Sequence, residues 1–539
     1  MVKAAHTLKR ARHTRTAVAA ATASALLLAG CAARTGAPSA SRAYAEGGTF
    51  QLAVPSDVPS FDPYASNAGS TRMLFLAYLA YDSLVSQADD GSFQSGLADT
   101  WHTAPTRTTF TLHQGVTCSD GTKLTARQVA YDLNYVGNPK NLTPYYGQYT
   151  PNVPYTATGN DTANTVTVTT RTPFAFTLET LGNIPIVCGK GMAHRGLLTS
   201  GSDGTGPFVV DHADQTSYTL KVREGYSWGP KGASTSAPGT PATLVVNEVP
   251  NFTTAASQVL AGQLDAAQVT GSDAQRLKAA GVAHADVPYQ KSALTFNERS
   301  NRVTSDVRVR KALVQALNFD SIAKVVGGSV TDRPRGLRAG TPLTCDGANA
   351  KAAFPPYSPK KAGELLDSAG WIKGSDGIRR RDGKPLNVTV YYPTEDPGVE
   401  LIQAFWKNIG VETTLHVATA QEAEAMYSQG TGNFDISYGG YVLPLPIALA
   451  PYISGAAPPA GLNFAHIENP DYDRFEKQAS RTAGDASCAL WAKAEQSLMN
   501  RADFVPLSNA KTRLFTSSDA KAEINSFRIP IPTSLRLYK

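Results

Sequence analysis

The feature that most constrains the fold is a regular alternation of strand and helix patterns late in the chain. Strand patterns at 388–392, 411–415 and 434–438 alternate with helix patterns around 402–409 and 423–427. Strands joined through helices in this way lie parallel in one sheet, with the helices as crossover connections. We therefore predict an α/β fold with a parallel sheet in this part of the chain.

The last of these strand patterns leads into an unusual stretch. It ends in Tyr438, Gly439, Gly440 and Tyr441, prolines follow, and residues 436–467 contain no Asp, Glu, Lys or Arg. In open α/β sheets, ligands bind just beyond the carboxyl ends of the strands, and glycines allow a close approach. We predict that this stretch forms part of a ligand site. A buried strand followed by a proline-rich surface loop is the alternative.

The N-terminus has the pattern of an export signal. Its positive charges are Lys3, Lys9, Arg10, Arg12 and Arg15. An apolar run at 17–30 follows and is too short to span a bilayer, so residues 1–30 read as a signal peptide. The sequence LAGC at 28–31 resembles the lipobox of bacterial lipoproteins, which implies lipid attachment at Cys31. A plain secretory signal is the alternative.

The charge balance argues against a nucleic-acid partner. The net charge is +6, but the signal peptide holds five of the 50 basic residues, which leaves 45 against 44 acidic residues. Residues 31–46 are rich in small residues and are predicted to form a flexible tether. A chain of 539 residues is longer than one core usually organises, so two or three domains are expected.

The cysteines predict two disulfides. Cys31 apart, the chain has Cys118, Cys188, Cys345 and Cys488. An even number in an exported protein favours disulfides, although four cysteines allow three pairings. Chain order favours Cys118 with Cys188 and Cys345 with Cys488, since each bond then lies within one predicted lobe. Four free thiols remain the alternative.

Eight segments in order along residues 50–510 resemble the family 5 extracellular solute-binding proteins, the peptide- and nickel-binding class that serves ABC importers. They are FTLHQGV at 110–116, SDGTKLTARQVAYDL at 119–133, GTGPF at 204–208, DVRVRKAL at 306–313, SPKKAGELLDSAGW at 358–371, DGKPL at 382–386, IGV at 409–411 and FDI at 434–436. Each segment alone is weak evidence, and their order and spacing carry the resemblance.

The resemblance implies a two-lobed, periplasmic-binding-protein-like α/β fold of type II, in its three-subdomain variant, with a ligand cleft between the lobes. Lobe I would comprise 47–85, 205–297 and 505–539, with a subdomain inserted at 86–204. Lobe II would comprise 298–504. Lobes of this kind close on a ligand by hinge motion.

The resemblance also implies a function. The chain would be a lipid-anchored monomer on the extracytoplasmic face of the cell membrane, delivering a peptide or peptide-like solute to an ABC permease and its ATPase. It would use no cofactor. Peptide-binding relatives carry an Asp shortly after FDI, and this chain has no acid there. The ligand-binding residues we predict are Arg72, Phe296, Asn297, Tyr438, Gly439, Gly440 and Tyr441.

Other functions receive less support from the residues. A receptor for nickel, a metal chelate or another non-peptide solute is the main alternative, but His102, His113, His194 and His416 lack the spacing of metal ligands, so no metal site is predicted. An exported hydrolase would belong to a different class. Neither a Gly-x-Ser-x-Gly nor a His-Glu-x-x-His motif occurs, and no enzymatic activity is expected. An anchored sensor cannot be separated from an importer component by sequence.

Overall fold

The computed structural model describes residues 42–55, 60–65, 77–141, 143–147, 149–214, 216–345, 354–441, 445–482, 484–525 and 528–539. The chain divides into an N-terminal part that ends at Ala43 and a compact unit, Tyr44–Lys539, which is described below. The predicted signal peptide, Cys31 and Arg72 lie outside the described residues. Among the described helices, none is both long and apolar enough to cross a membrane.

The strands are β1 Thr49–Val54, β2 Val85–Gln87, β3 Phe93–Ser95, β4 Ala98–Ala104, β5 Arg107–Leu112, β6 Tyr155–Asn160, β7 Thr165–Thr170, β8 Phe208–Ala213, β9 Ser217–Val222, β10 Thr243–Glu248, β11 Ala266–Gln268, β12 Ala283–Phe296, β13 Ile372–Lys373, β14 Arg379–Arg381, β15 Lys384–Pro385, β16 Asn387–Tyr392, β17 Glu412–Val417, β18 Ile436–Tyr441, β19 Phe504–Thr516, β20 Ala520–Lys521 and β21 Arg536–Leu537.

The α-helices are α1 Ala126–Val136, α2 Gly189–Ala193, α3 Phe252–Leu260, α4 Gly271–Ala279, α5 Val307–Gln315, α6 Phe319–Ile322, α7 Pro359–Ser368, α8 Pro397–Asn408, α9 Ala420–Gln429, α10 Ala450–Ile453, α11 Pro470–Ala479 and α12 Gly484–Arg501.

One ten-stranded sheet organises the molecule, in the order β17-β16-β18-β12-β19-β11-β1-β10-β9-β8. The two long central strands, β12 and β19, pair antiparallel along almost their whole length. At one end β19 pairs with β11, and at the other end β12 pairs with β18. We use lobe I for the half with β1 and β8–β11, and lobe II for the half with β16–β18. The lobe bounds given above stay a prediction.

The predicted strand and helix alternation is confirmed in lobe II. Strands β17 and β18 both pair parallel with β16, and helices α8 and α9 make the connections. The last strand differs from its prediction, because it starts at Ile436 and continues through both glycines to Tyr441. Strand β12 supplies the reason, since it pairs with β18 as far as Tyr441 and keeps the glycines in the sheet.

The residues predicted to form the inserted subdomain, 86–204, are called the insert below, and they contain the four-stranded sheet β4-β5-β7-β6 and helix α1. Helix α1 begins where Thr125 Oγ1 accepts a hydrogen bond from Gln128 N at 3.1 Å. The Gln128 side chain does not complete the capping box that its spacing suggests. Its Nε2 donates to the buried Asp132 carboxylate at 2.8 Å and to Val187 O. A buried carboxylate requires donors, which accounts for this choice.

Both predicted disulfides are confirmed. Cys118 bonds to Cys188 over a separation of 70 residues, and Cys345 bonds to Cys488 over 143 residues. The first bond joins two parts of the insert and the second lies within lobe II. Closing loops of this length stabilises a fold by about 4 to 5 kcal/mol each in the chain-entropy estimate.

Candidate ligand-binding site

The residues predicted to bind the ligand lie along β18 and its neighbour β12, and they fall into two groups. Phe296 pairs with Ile436 at the start of β18, whereas Tyr441 pairs with Gln290 at its other end. At about 3.3 Å per residue, these two ends are roughly 16 Å apart. The backbone of Phe296 and Asn297 therefore lies far from that of Gly440 and Tyr441, although the Tyr441 side chain extends back to Thr295.

Phe296 and Asn297 are fully buried in the described structure. Asn297 Nδ2 donates to Phe434 O at 2.9 Å, and Asn297 N donates to Asp435 O at 2.8 Å. These bonds fasten the end of β12 to the residues that precede β18. Both side chains thus contribute to the cohesion of lobe II, and their role toward a ligand stays a prediction.

Tyr438 and Tyr441 project from opposite faces of β18. Tyr438 packs against Gly398, where helix α8 begins, and burial together with the nearby Asp396 carboxylate raises its pKa. The Tyr441 hydroxyl shares a hydrogen bond with Thr295 Oγ1 at 3.2 Å. Burial also raises the pKa of Tyr441. Both phenols are therefore neutral at physiological pH.

The two adjacent glycines have different surroundings. A Cβ added to Gly440 would lie 2.6 Å from Lys291 O and 2.8 Å from Gln290 O, both on β12. A Cβ added to Gly439 would meet no atom within 4 Å. Gly440 is required by the close approach of β12, at the point where the pairing of β12 shifts register. Of the two positions, Gly439 is the one that can accept a side chain.

A sizeable cavity lies beside the segment that follows β18. Its volume is about 720 Å³, and it is bounded on one side by the insert and on the other by lobe II. The insert contributes Asn134, Gly137, Asn138, Pro139, Tyr146, Gly147, Pro151, Asn152, Val153, Pro154 and Tyr155, and lobe II contributes Ile447, Ala450, Pro451, Ser454, Gly455 and Glu476. Small-molecule sites typically measure about 300 to 1,000 Å³.

The insert and lobe II contact each other beside this cavity. Phe174 and Phe176 belong to the insert but are buried in the hydrophobic core of lobe II, where the Phe176 ring lies 6.4 Å from the ring of Trp491. Asn152 Nδ2 donates to Glu476 Oε1 at 2.6 Å and to Ser480 Oγ at 3.1 Å. The two walls of the cavity are therefore joined by an apolar contact and by hydrogen bonds.

Glu476 is the only Asp, Glu, Lys or Arg among the described residues that line the cavity. Burial raises its pKa, Ser480 and Asn152 lower it through their hydrogen bonds, and Asp473 raises it further. The lining is otherwise made of amides, phenols, prolines and small apolar groups. Such a cavity offers hydrogen bonds and stacking surfaces together with one negative charge.

None of the six predicted ligand residues that the structure describes lines this cavity, and Arg72 lies outside the described residues. Tyr441 comes closest through its neighbour Tyr452, whose ring lies 6.1 Å away on the segment that forms the lobe II wall. Sequence reasoning missed the insert wall altogether. A signal was present, because residues 141–160 contain no Asp, Glu, Lys or Arg and are rich in Tyr and Pro.

A metal centre built by the protein finds no support in the described part of the chain. Within it, no group of three or more His, Cys, Asp or Glu side chains could hold a metal ion. His416, one of the four histidines considered above, is hydrogen-bonded through Nε2 to Glu422 Oε1 at 3.1 Å.

The family model described as bacterial extracellular solute-binding proteins, family 5 Middle, matches residues 92–454, about two thirds of the 539 residues. The chain belongs to this family. The resemblance found in the sequence and the predicted two-lobed fold are both confirmed. Membership of family 5 makes the chain a solute-binding component of ABC importers rather than an enzyme.

Individual relatives share part of the sequence or the fold. Protein XP55 of Streptomyces lividans is 30% identical over 308 residues, which cover 53% of this chain and 51% of that protein. The dipeptide-binding protein of Pseudoalteromonas sp. SM9913, solved in complex with Met-Leu, has a TM-score of 0.75 and 18% identity over 91% of this chain and 100% of that one. NikZ of Campylobacter jejuni, in complex with Ni(L-His), has a TM-score of 0.74 and 20% identity over 90% of this chain and 99% of that one.

Proposed function

We propose that this family 5 protein is a lipid-anchored receptor on the extracytoplasmic face of the cell membrane. It captures a peptide or peptide-like small molecule as a monomer and delivers it to an ABC permease, whose separate ATPase supplies the energy. The observation that carries the proposal is the cavity of about 720 Å³ between the insert and lobe II.

The lining of the cavity suits a peptide-like solute. Asn138 and Asn152 present amide groups of the kind that pair with peptide groups, and Tyr146 and Tyr155 present aromatic surface. The cavity also lies between the insert and lobe II. A solute that contacted both walls would favour the closed arrangement over an open one, because only the closed arrangement provides both sets of contacts.

The relatives support the same class of ligand. The Pseudoalteromonas protein was solved with a dipeptide, and NikZ was solved with nickel held by L-histidine, so both ligands contain amino acids. In this proposal Tyr441 supports the lobe II wall through its contact with Tyr452. The predicted ligand role of Arg72, Phe296, Asn297, Tyr438, Gly439 and Gly440 stays a hypothesis to be tested by substitution.

Membrane attachment rests on the lipobox-like sequence that ends in Cys31. We expect the wild-type protein to partition into the detergent phase after extraction and to incorporate labelled fatty acid. The Cys31→Ser variant should remain in the aqueous phase without label. Detergent partitioning of the Cys31→Ser variant would contradict a lipid anchor at this residue.

The ligand can be identified by native mass spectrometry of protein purified without denaturation. We expect a bound organic molecule with peptide-like mass and fragmentation. The Asn138→Trp variant places a large side chain in the cavity and should no longer retain the molecule. The Lys140→Trp variant, two residues away and outside the lining, should still retain it. A reproducibly bound metal without an organic ligand would refute the peptide proposal, and equal retention by both Trp variants would refute the location.

A further inference from the structure

Glu476 stands out among the groups that line the cavity. It lies on helix α11, and its carboxylate is half-buried beside an otherwise uncharged wall. Asn152 Nδ2 donates to its Oε1 at 2.6 Å and Ser480 Oγ donates to the same oxygen at 3.1 Å. No described residue donates a hydrogen bond to Oε2.

The charges around Glu476 do not neutralise it. Asp473 adds a second negative charge nearby and raises the pKa of Glu476, whereas the positive charge of Arg481 lowers it. Neither Arg481 nor any other described cation forms an ion pair with the Glu476 carboxylate. A carboxylate in a partly desolvated cavity without a close cation favours a cationic ligand group, because that group restores the interactions that burial removed.

We propose that Glu476 is the specificity-determining residue of the cavity and selects solutes that carry a protonated amine. The inference rests on the proposed function and narrows its ligand class. Asn152, on the opposite wall, already donates a hydrogen bond to the Glu476 carboxylate. The Asn152 amide and the solute amine would then bind the same carboxylate. Capture of the amine would then also consolidate the contact between the insert and lobe II.

The position of this acid could not be inferred from the strand that the sequence singled out. Glu476 lies 35 residues beyond Tyr441, on a different element, and outside the uncharged run 436–467. Its neighbours Asp471 and Asp473 on the same helix are exposed, and Asp471 forms an exposed ion pair with Arg474 at 2.7 Å. Asp471 therefore provides a control with the same change of charge away from the cavity.

The test uses two peptide pools and native mass spectrometry. One pool contains synthetic tripeptides without Lys, Arg or His, and the other contains the same peptides after N-acetylation. We expect the wild-type protein to retain the free-amine pool at least tenfold better than the acetylated pool, as a charge-assisted hydrogen bond predicts. Glu476→Gln should abolish this preference, Glu476→Asp should preserve part of it, and Asp471→Asn should leave it unchanged.

The possible outcomes separate the inference from the proposed function. If the wild-type protein retains both pools equally, or if Glu476→Gln lowers the retention of both pools by the same factor, Glu476 has at most a structural role and the inference is wrong while the peptide proposal stands. If neither pool is retained, the peptide proposal itself is wrong, and the inference is refuted with it.

Discussion

The packed end of β18 and the open cavity beside it are separated by only a short segment, yet they differ in almost every physical property. Around Tyr441 the rings of Tyr452 and Phe504 lie 6.1 and 5.3 Å away, and the hydroxyl is bonded to Thr295. Across the following segment, Pro451 and Ser454 face Tyr146 and Asn152 of the insert over a cavity of about 720 Å³. The first region is a core, and the second is a space between two units.

The comparison teaches that an apolar, aromatic stretch at the end of a strand is more informative about packing than about ligand contact. Tyr438 of β18 is buried and Tyr441 is partly buried, because other side chains of the lobe II core pack against the sheet. The cavity exists because the insert meets lobe II through Phe174 and Phe176 but leaves the neighbouring surfaces unfilled. Four predictions test this contrast.

The largest effect is expected in the packed region. Phe296 is fully buried in the core of lobe II, so Phe296→Ala should lower the free energy of unfolding by about 3 to 5 kcal/mol through lost burial and a residual cavity. Chemical denaturation measures this change, with Phe296→Leu as a milder control. A loss below about 1 kcal/mol would mean that Phe296 faces an open cleft and not a core.

The second prediction concerns Glu179, which lies three residues beyond Phe176 in the insert. Burial raises the pKa of Glu179 from 4.5 to about 7. A folded pKa above the unfolded value means that the native state binds the proton more tightly, so this contribution to stability is full below about pH 4.5 and is lost as the pH rises through about 7. The loss amounts to at most about 3 kcal/mol.

Urea denaturation between pH 5 and 8 measures this effect. The wild-type protein should lose stability relative to Glu179→Gln as the pH rises, and the two should converge toward pH 5. Parallel pH profiles for the two proteins would show that Glu179 is hydrated and that the segment beside Phe176 is open.

The third prediction uses the two adjacent glycines as a matched pair. Gly440→Ala should lower the free energy of unfolding by about 1 to 3 kcal/mol, because its Cβ would lie 2.6 Å from a backbone oxygen of β12. Gly439→Ala has open space and should leave stability unchanged or raise it by up to about 1 kcal/mol. Thermal unfolding of both variants measures the two changes in stability. Equal changes would mean that β12 does not approach β18 more closely at Gly440 than at Gly439.

The smallest effect on stability is expected in the cavity. Tyr146 is 44% exposed, so Tyr146→Ala should change the free energy of unfolding by no more than about 0.5 kcal/mol. Retention of the co-purified solute should nevertheless fall, because the variant removes an aromatic wall. A stability loss comparable to that of Phe296→Ala would mean that the insert wall is a packed core as well.

Local patterns predicted much of the fold. The alternation at 388–438 became β16-α8-β17-α9-β18, and Asp306 and Ser358, which are residue types that favour the N-cap position, begin α5 and α7. These features depend on interactions within a few residues, or on the period of apolar positions, and both are visible in the sequence. The disulfide pairing could be inferred from chain order because each bond closes within one unit.

The candidate site depended on contacts that no local pattern encodes. Two uncharged runs, 141–160 and 436–467, are plain in the sequence, but their meeting across one cavity is not. The family, the parallel sheet of lobe II and the apolar character of β18 could all be predicted from the amino-acid sequence. The packing of the aromatic side chains of β18 and the position of Glu476 in the cavity lining are visible only in the tertiary structure. The physical reason is that burial and charge at this site arise from surfaces about 300 residues apart in the chain, which come together only when the insert contacts lobe II.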